Sequence, residues 1–193
     1  MITAAYNGIV GINGDYFAYH SQGIVVRNGR QLRNRPNKGR DTLIIDANAN
    51  FTIIKDTTAE LYEAFEGEVI HAFCFGPGLV VDGEPLTSLD EVTLDCGKGR
   101  KTQRIAIGQT GPLEYVMVTC EGPENKGSVG FDLLQMAALC KELGCINAYN
   151  LDGGSSSSLV LNNKKINSLS TGKIRSIGDI LYFITLQPSE EAK

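Results

Sequence analysis

A carboxylate followed by two glycines and four serines stands in the segment Asn150-Leu151-Asp152-Gly153-Gly154-Ser155-Ser156-Ser157-Ser158. Paired glycines let a backbone turn sharply and pass close to a ligand, because no Cβ intervenes. Their N–H groups, joined by the hydroxyls of Ser155 and Ser156, would form a concave donor set for phosphate or sugar oxygens. Asp152 would then stand at its mouth. The same composition also describes a flexible serine-rich loop in which Asp152 caps a turn. No Gly-x-Ser-x-Gly elbow is present, so a serine hydrolase is excluded. The glycine spacing and lysine of a nucleotide-binding P-loop are missing as well.

Other residues fit the same chemistry. In Ile12-Asn13-Gly14-Asp15-Tyr16-Phe17 the amide of Asn13 can orient a sugar hydroxyl, although Asn-Gly pairs are commonly plain turns. His20 follows closely, near Asp15 and three aromatic rings suited to sugar stacking. A phosphodiester needs a fixed cation, and the guanidinium fork matches phosphate oxygens. Arg104 and Arg175, each beside an apolar strand pattern, are the candidates, with surface ion pairing as their ordinary alternative. Glu121 ends another apolar run, where a carboxylate can face a cleft or simply occupy an exposed loop.

The elements that must position these residues are mostly strands joined by tight turns. Asn28-Gly29 marks a hairpin, and Arg33 to Arg40 is a basic, turn-rich exposed loop. Strands are predicted at Thr42 to Asp46, Phe51 to Lys55 and Val69 to Phe75, then at Leu79 to Val81 before an Asp82-Gly83 turn. Thr57-Thr58-Ala59-Glu60 reads as a capping box opened by Thr57, with its helix ending at Gly67. Gly97 to Lys101 is a loop. A second hairpin runs through Arg104 to Gln109 and Leu113 to Cys120. Leu133, Met136, Ala137, Cys140 and Leu143 share a face at helical spacing, so Asp132 to Leu143 is a core-facing helix stopped by Gly144. A strand from Cys145 to Leu151 delivers Asp152. A hairpin about Asn162-Asn163 and a closing strand from Ile180 to Leu186 complete the pattern. The expectation is a single α+β domain, a mixed and largely antiparallel sheet carrying two main helices.

Composition narrows the function classes. A chain of 193 residues can bury a real core, and a net charge of −4 with interspersed signs argues against sequence-independent nucleic-acid binding. No apolar run is long enough for a transmembrane helix. Five cysteines without a Cys-x-x-Cys pair read as buried thiols, with one disulfide allowed and zinc spacing missing. The first residues lack the charged and apolar regions of a signal peptide.

Taken in order, several motifs resemble one family. They are Asn13-Gly14 with Phe17, Phe73-Cys74-Phe75-Gly76-Pro77 before Leu79-Val80, Arg104 to Gly108, Glu121-Gly122, Gly130 to Leu133, Asn150 to Ser157, Asn167 and Arg175. The set is similar to that of the phosphodiester glycosidases of the NAGPA-domain type, over about residues 9 to 186. This chain departs from the family pattern in three places. Ser155 stands where a third glycine is usual, Pro123 where an arginine often follows the acidic-Gly pair, and the usual amino-terminal strands are short or missing.

The resemblance implies hydrolysis of a sugar-1-phosphodiester at its glycosidic C–O bond. Asp152 and Glu121 would serve as catalytic carboxylates. Arg104 and Arg175 would bind phosphate. Asn13, Asn150, Gly153, Gly154, Ser155 and Ser156 would contact substrate. No cofactor is required, and a divalent metal beside Asp152 has no ligand cluster to argue for it. The expected partner is a glycosyl phosphodiester or phosphoglycan, on an extracellular or cell-envelope polymer. The alternatives are a non-catalytic phosphoglycan-binding module and an assembly protein of exopolysaccharide or envelope.

Overall fold

The computed structural model describes residues 5–90, 92–93, 97–123, 125, 127–168 and 175–184. Three antiparallel sheets organise it. The first has the order β13 (Lys164–Lys165), β12 (Leu159–Leu161), β1 (Gly8–Asn13), β14 (Ile180–Ile184). The second runs β10 (Glu114–Cys120), β9 (Arg104–Gly111), β11 (Asn147–Leu151), β7 (Gly78–Val81), β8 (Glu84–Pro85). The third runs β3 (Arg30–Arg35), β2 (Gly23–Arg27), β6 (Val69–Phe73), β4 (Thr42–Asp46), β5 (Phe51–Ile54). The α+β class therefore holds broadly, but one mixed sheet is replaced by three, and every strand pairing between described residues is antiparallel.

Helix α1 (Ala59–Glu63) is shorter than its pattern, and its cap is Thr58, whose hydroxyl accepts from the Leu61 N–H. Thr57 is instead buried; its hydroxyl donates to Ile54 O and its oxygen pairs with the Thr42 hydroxyl. Glu63 and Glu66 near the carboxyl end oppose the helix dipole, which fits the early stop. Helix α2 (Leu133–Glu142) has the better start. Asp132 and Gln135 form a reciprocal capping box, and Gly144 past its end takes φ +83°.

The core divides about the second sheet. Leu133, Met136, Ala137 and Cys140 of α2 pack on one face, against Leu79, Val80, Ala106 and Ala148. Ile105, Ile107, Tyr149 and Leu151 point the other way, into Ile12, Leu43, Phe51 and Phe73 of the other two sheets. Strand β11 is thus covered on both faces and paired on both edges, which makes it a rigid arm for whatever follows Leu151. Among the described cysteines, Cys74, Cys140 and Cys145 are buried free thiols and Cys120 is half-buried; Cys96 lies outside the described residues.

Candidate active site

The site begins where β11 ends. Asn150 is buried, donating its side-chain amide to Gly76 O at 2.8 Å and its N–H to Pro77 O. The next turn is pressed onto the chain before β9: a Cβ at Gly153 would come within 2.8 Å of Gln103 O, and Gly154, at φ +56°, donates its N–H to that same carbonyl. Glycine is required at 153 by this close approach and at 154 by the left-handed backbone.

Asn13, which is buried, clamps the loop from the other side. Its amide donates to Asp152 O at 2.7 Å and accepts from the Ser158 N–H at 2.9 Å, while Asp152 donates its N–H to Gly14 O. The loop's main-chain donors are therefore largely committed. Gly154, Ser156 and Ser157 also give their N–H groups to protein carbonyls, so the expected donor cradle for an anion is not free there. Recognition falls to side chains.

Those side chains converge from distant parts of the chain. Arg175 donates to the Ser155 hydroxyl at 3.3 Å and to the Tyr16 hydroxyl at 3.0 Å. Its guanidinium lies 5.2 Å over the Tyr16 ring and 5.9 Å from the Tyr19 ring, and the two rings stack at 4.5 Å. Asp152 sits beside this group. Burial pushes its carboxyl above the usual range, the Ser156 hydroxyl and the Arg175 charge pull it back, and the Asp15 charge adds to the rise.

Beneath lies an ion cluster. Arg27 of β2 reaches Asp15 at 3.1 Å and Asp179 at 2.5 Å, and stands 4.0 Å over the Phe73 ring. Asp15, fully buried at its side chain, also accepts from the Phe17 and Cys74 N–H groups. Burial raises Asp179 to about 6, against the opposing pull of Arg27, which it must share with Asp15. A carboxyl that gains protons on folding stabilises the fold below its unfolded value and loses that contribution as pH rises through its folded value. Stability should therefore fall between about pH 4 and 6 by about 2 to 3 kcal/mol through Asp179. Denaturant unfolding across that range should show the slope, and Asp179→Asn should flatten it; an identical slope in the variant would remove Asp179 as its source.

Gly14 fits tightly over this cluster, since a Cβ there would overlap the Asp179 carboxylate. Gly14→Ala should lower stability by about 1–3 kcal/mol, read as a shift of the thermal midpoint. An unshifted midpoint would mean that Asp179 can swing clear.

Several expected contacts prove to be supports. Arg104 is buried, and its guanidinium donates to Gly97 O, Arg100 O and Phe131 O. It holds the Gly97–Arg100 loop rather than presenting a free fork for phosphate. Glu121 accepts from the Ser168 N–H at 2.7 Å and the Gln103 amide at 3.4 Å, so it ties strand ends together behind the Gly153-Gly154 turn. Asn13 and Asn150 position Asp152 through the main chain rather than reaching outward. His20 donates from Nδ1 to Gln22 O. The structure brings Asp152, Ser155, Ser156 and Arg175 together, and adds Tyr16, Tyr19, Asp15, Arg27 and Asp179. The aromatic run after Asn13-Gly14 was the available signal for the tyrosines; no spacing linked Arg27 to Asp179, which are 152 residues apart.

Comparison with known proteins places this geometry in context. A Bacillus subtilis (strain 168) relative, the SPbeta prophage-derived uncharacterized protein YomE, is 37% identical over 111 residues, covering 58% of this chain and 17% of the relative. The zebrafish N-acetylglucosamine-1-phosphodiester alpha-N-acetylglucosaminidase catalytic domain, solved auto-inhibited by its pro-peptide, superposes with a TM-score of 0.74 at 20% identity. That match covers 93% of this chain and 64% of the zebrafish chain. A hypothetical protein from Synechocystis matches with a TM-score of 0.59 at 15% identity, over 95% of this chain and 53% of that one. These two likenesses establish the fold, and this chain spans less than two thirds of each of the three relatives. The family model described as phosphodiester glycosidase matches residues 6–184, and the chain belongs to that family.

Proposed function

We propose that this protein hydrolyses the glycosidic C–O bond of a sugar-1-phosphodiester, releasing free sugar and a phosphomonoester, on an extracellular or envelope glycan. One observation carries the reading: Arg175, hydrogen-bonded to Ser155 of the loop, stands close enough to act on the Asp152 carboxyl, beside stacked tyrosines. Phosphate leaves readily, so the reaction needs charge neutralisation more than a strong acid. Arg175 neutralises the phosphate oxygens, the half-exposed loop keeps Asp152 facing the anomeric carbon, and Tyr19, 54% exposed, offers a ring face to the sugar. Water adds at the anomeric carbon as the bond to the phosphate oxygen breaks; the bonding pair leaves with the phosphomonoester, which also takes up the proton that the water loses. Ionised Asp152 stabilises the positive charge that develops on the sugar ring. No cofactor takes part in this proposal.

A screen over glycosyl-1-phosphodiesters, with Asp152→Asn as control, tests it. Turnover in the wild type alone supports the assignment. Binding of phosphodiester without turnover would replace it with a phosphoglycan-binding module.

A further inference from the structure

Beyond Arg27, the basic segment that ends at Arg40 has no part in the site as described. Arg27, Arg30, Arg33, Arg35, Lys38 and Arg40 supply six of the chain's 18 basic side chains within a stretch that holds no Asp or Glu. On a chain of net charge −4, that is a local excess of positive charge.

The register of β2 and β3 decides where it points. Gly23 opposes Arg35, Val25 opposes Arg33 and Arg27 opposes Arg30, with a one-residue shift between Val25 and Val26. Directly opposed residues of an antiparallel pair share a face. In an unbroken strand Arg30 and Arg33, three apart, would point to opposite faces. The extra residue reverses that, so Arg30, Arg33 and Arg35 all join the face that carries Arg27. The other face of β2 is apolar: Ile24 and Val26 pack with Ala72 against Tyr62 of α1.

The Arg27 face is the face of the site. Arg27 itself reaches Asp15 and Asp179, and Arg33 donates to Phe17 O at 2.7 Å, inside the turn that carries Tyr16 and Tyr19. The charges of Arg40 and Arg33 also help burial lower the basicity of His20 in that turn. Strand β3 is the outer strand of its sheet, and Arg30, Arg35 and Lys38 are exposed. Arg35 and Arg30 oppose Gly23 and Arg27, four residues apart on β2, so about 13 Å separates them along the strand, room for two phosphates of one extended chain.

Building on the proposed function, we propose that the β3 edge binds the polyanionic chain of which the scissile phosphodiester is one link. The substrate class is then a polymer of repeating glycosyl phosphodiesters rather than an isolated diester. Arg30 and Arg35 each hold a phosphate of the polymer while Arg175 holds the one that leaves.

The test uses the full chain and its Arg30→Gln/Arg35→Gln variant. Three probes are titrated: a polymer of N-acetylglucosamine-1-phosphate repeats, its single-repeat methyl phosphodiester, and a single-stranded oligonucleotide of equal charge. The double variant should bind the polymer about tenfold more weakly at about 50 mM salt, with a salt slope shallower by about 1.4. Its binding and turnover of the single repeat should match the wild type. Equal polymer affinity in the two proteins would overturn the proposal, as would an oligonucleotide bound as tightly as the polymer. A wild type that leaves the single repeat intact, yet loses polymer affinity on the double substitution, would sink the catalytic reading alone and keep the polymer surface.

Discussion

Asp152→Asn should leave the protein folded and lower kcat/KM for a glycosyl-1-phosphodiester by about 10³-fold or more. Folding should survive because the loop is held through its main chain: Asn13 donates to Asp152 O, and Asp152 N–H donates to Gly14 O. Asparagine preserves both contacts and the side-chain size, while removing a charge whose burial is already unfavourable. The loss should fall on kcat, because Arg175 keeps its contacts to Ser155 and Tyr16 and still meets the phosphate. Wild-type turnover should decline on the acid side with an apparent pKa above the usual carboxylate range, since protonation of Asp152 removes the charge the reaction needs. Steady-state kinetics against pH, with the unfolding midpoint as control, measures all of this. Turnover within tenfold of wild type would exclude Asp152 as the stabilising carboxylate.

The second large effect is on stability. Arg27→Met should cost about 3–5 kcal/mol at neutral pH, because it leaves the carboxylates of Asp15 and Asp179 in a buried site without their counter-charge. The substitution also removes donors to Val26 O and Ala72 O and the guanidinium over the Phe73 ring. A second change separates charge from packing. Adding Asp179→Asn to Arg27→Met should restore part of the loss, since one of the stranded charges disappears. The deficit should also shrink as pH falls towards about 6, because without the pull of Arg27 the Asp179 carboxyl takes up its proton at a higher pH than in the wild type. Urea unfolding of both variants provides the numbers. A loss below about 1 kcal/mol would mean that water reaches the cluster freely.

Local patterns foretold the elements well. Asn28-Gly29 and Asn162-Asn163 take positive φ at their hairpins, and Asp82-Gly83 does the same after β7. The α2 stripe is buried at Leu133, Met136, Ala137 and Cys140. These outcomes follow from near-neighbour sterics and from period, which a linear chain displays directly. The first helix cap slipped by one residue because Thr57 and Thr58 are chemically alike, and only the packing of β4 against the β5 end gives Thr57 a partner in Thr42.

Composition alone allowed the segment Asn150 to Ser157 to be a tight turn with a carboxylate at its entrance or a flexible serine-rich loop, and family resemblance singled it out as a site. Tertiary structure decided what its neighbours do. Arg104 and Arg175 are the same residue type beside strands, yet one is buried and spends its guanidinium on three backbone carbonyls, while the other stands exposed over two tyrosines. Asn13 reads as a sugar contact in sequence and becomes a clamp on the Asp152 main chain in space. The ion cluster of Asp15, Arg27 and Asp179 had no sequence signal, because its members come from β2, the turn after β1 and the segment before β14. Residue types and periodicity by themselves determined most strands, the second helix and the glycine turn. Which polar groups face a ligand was decided only by folding, because burial commits most donors to the chain's own carbonyls and leaves few free.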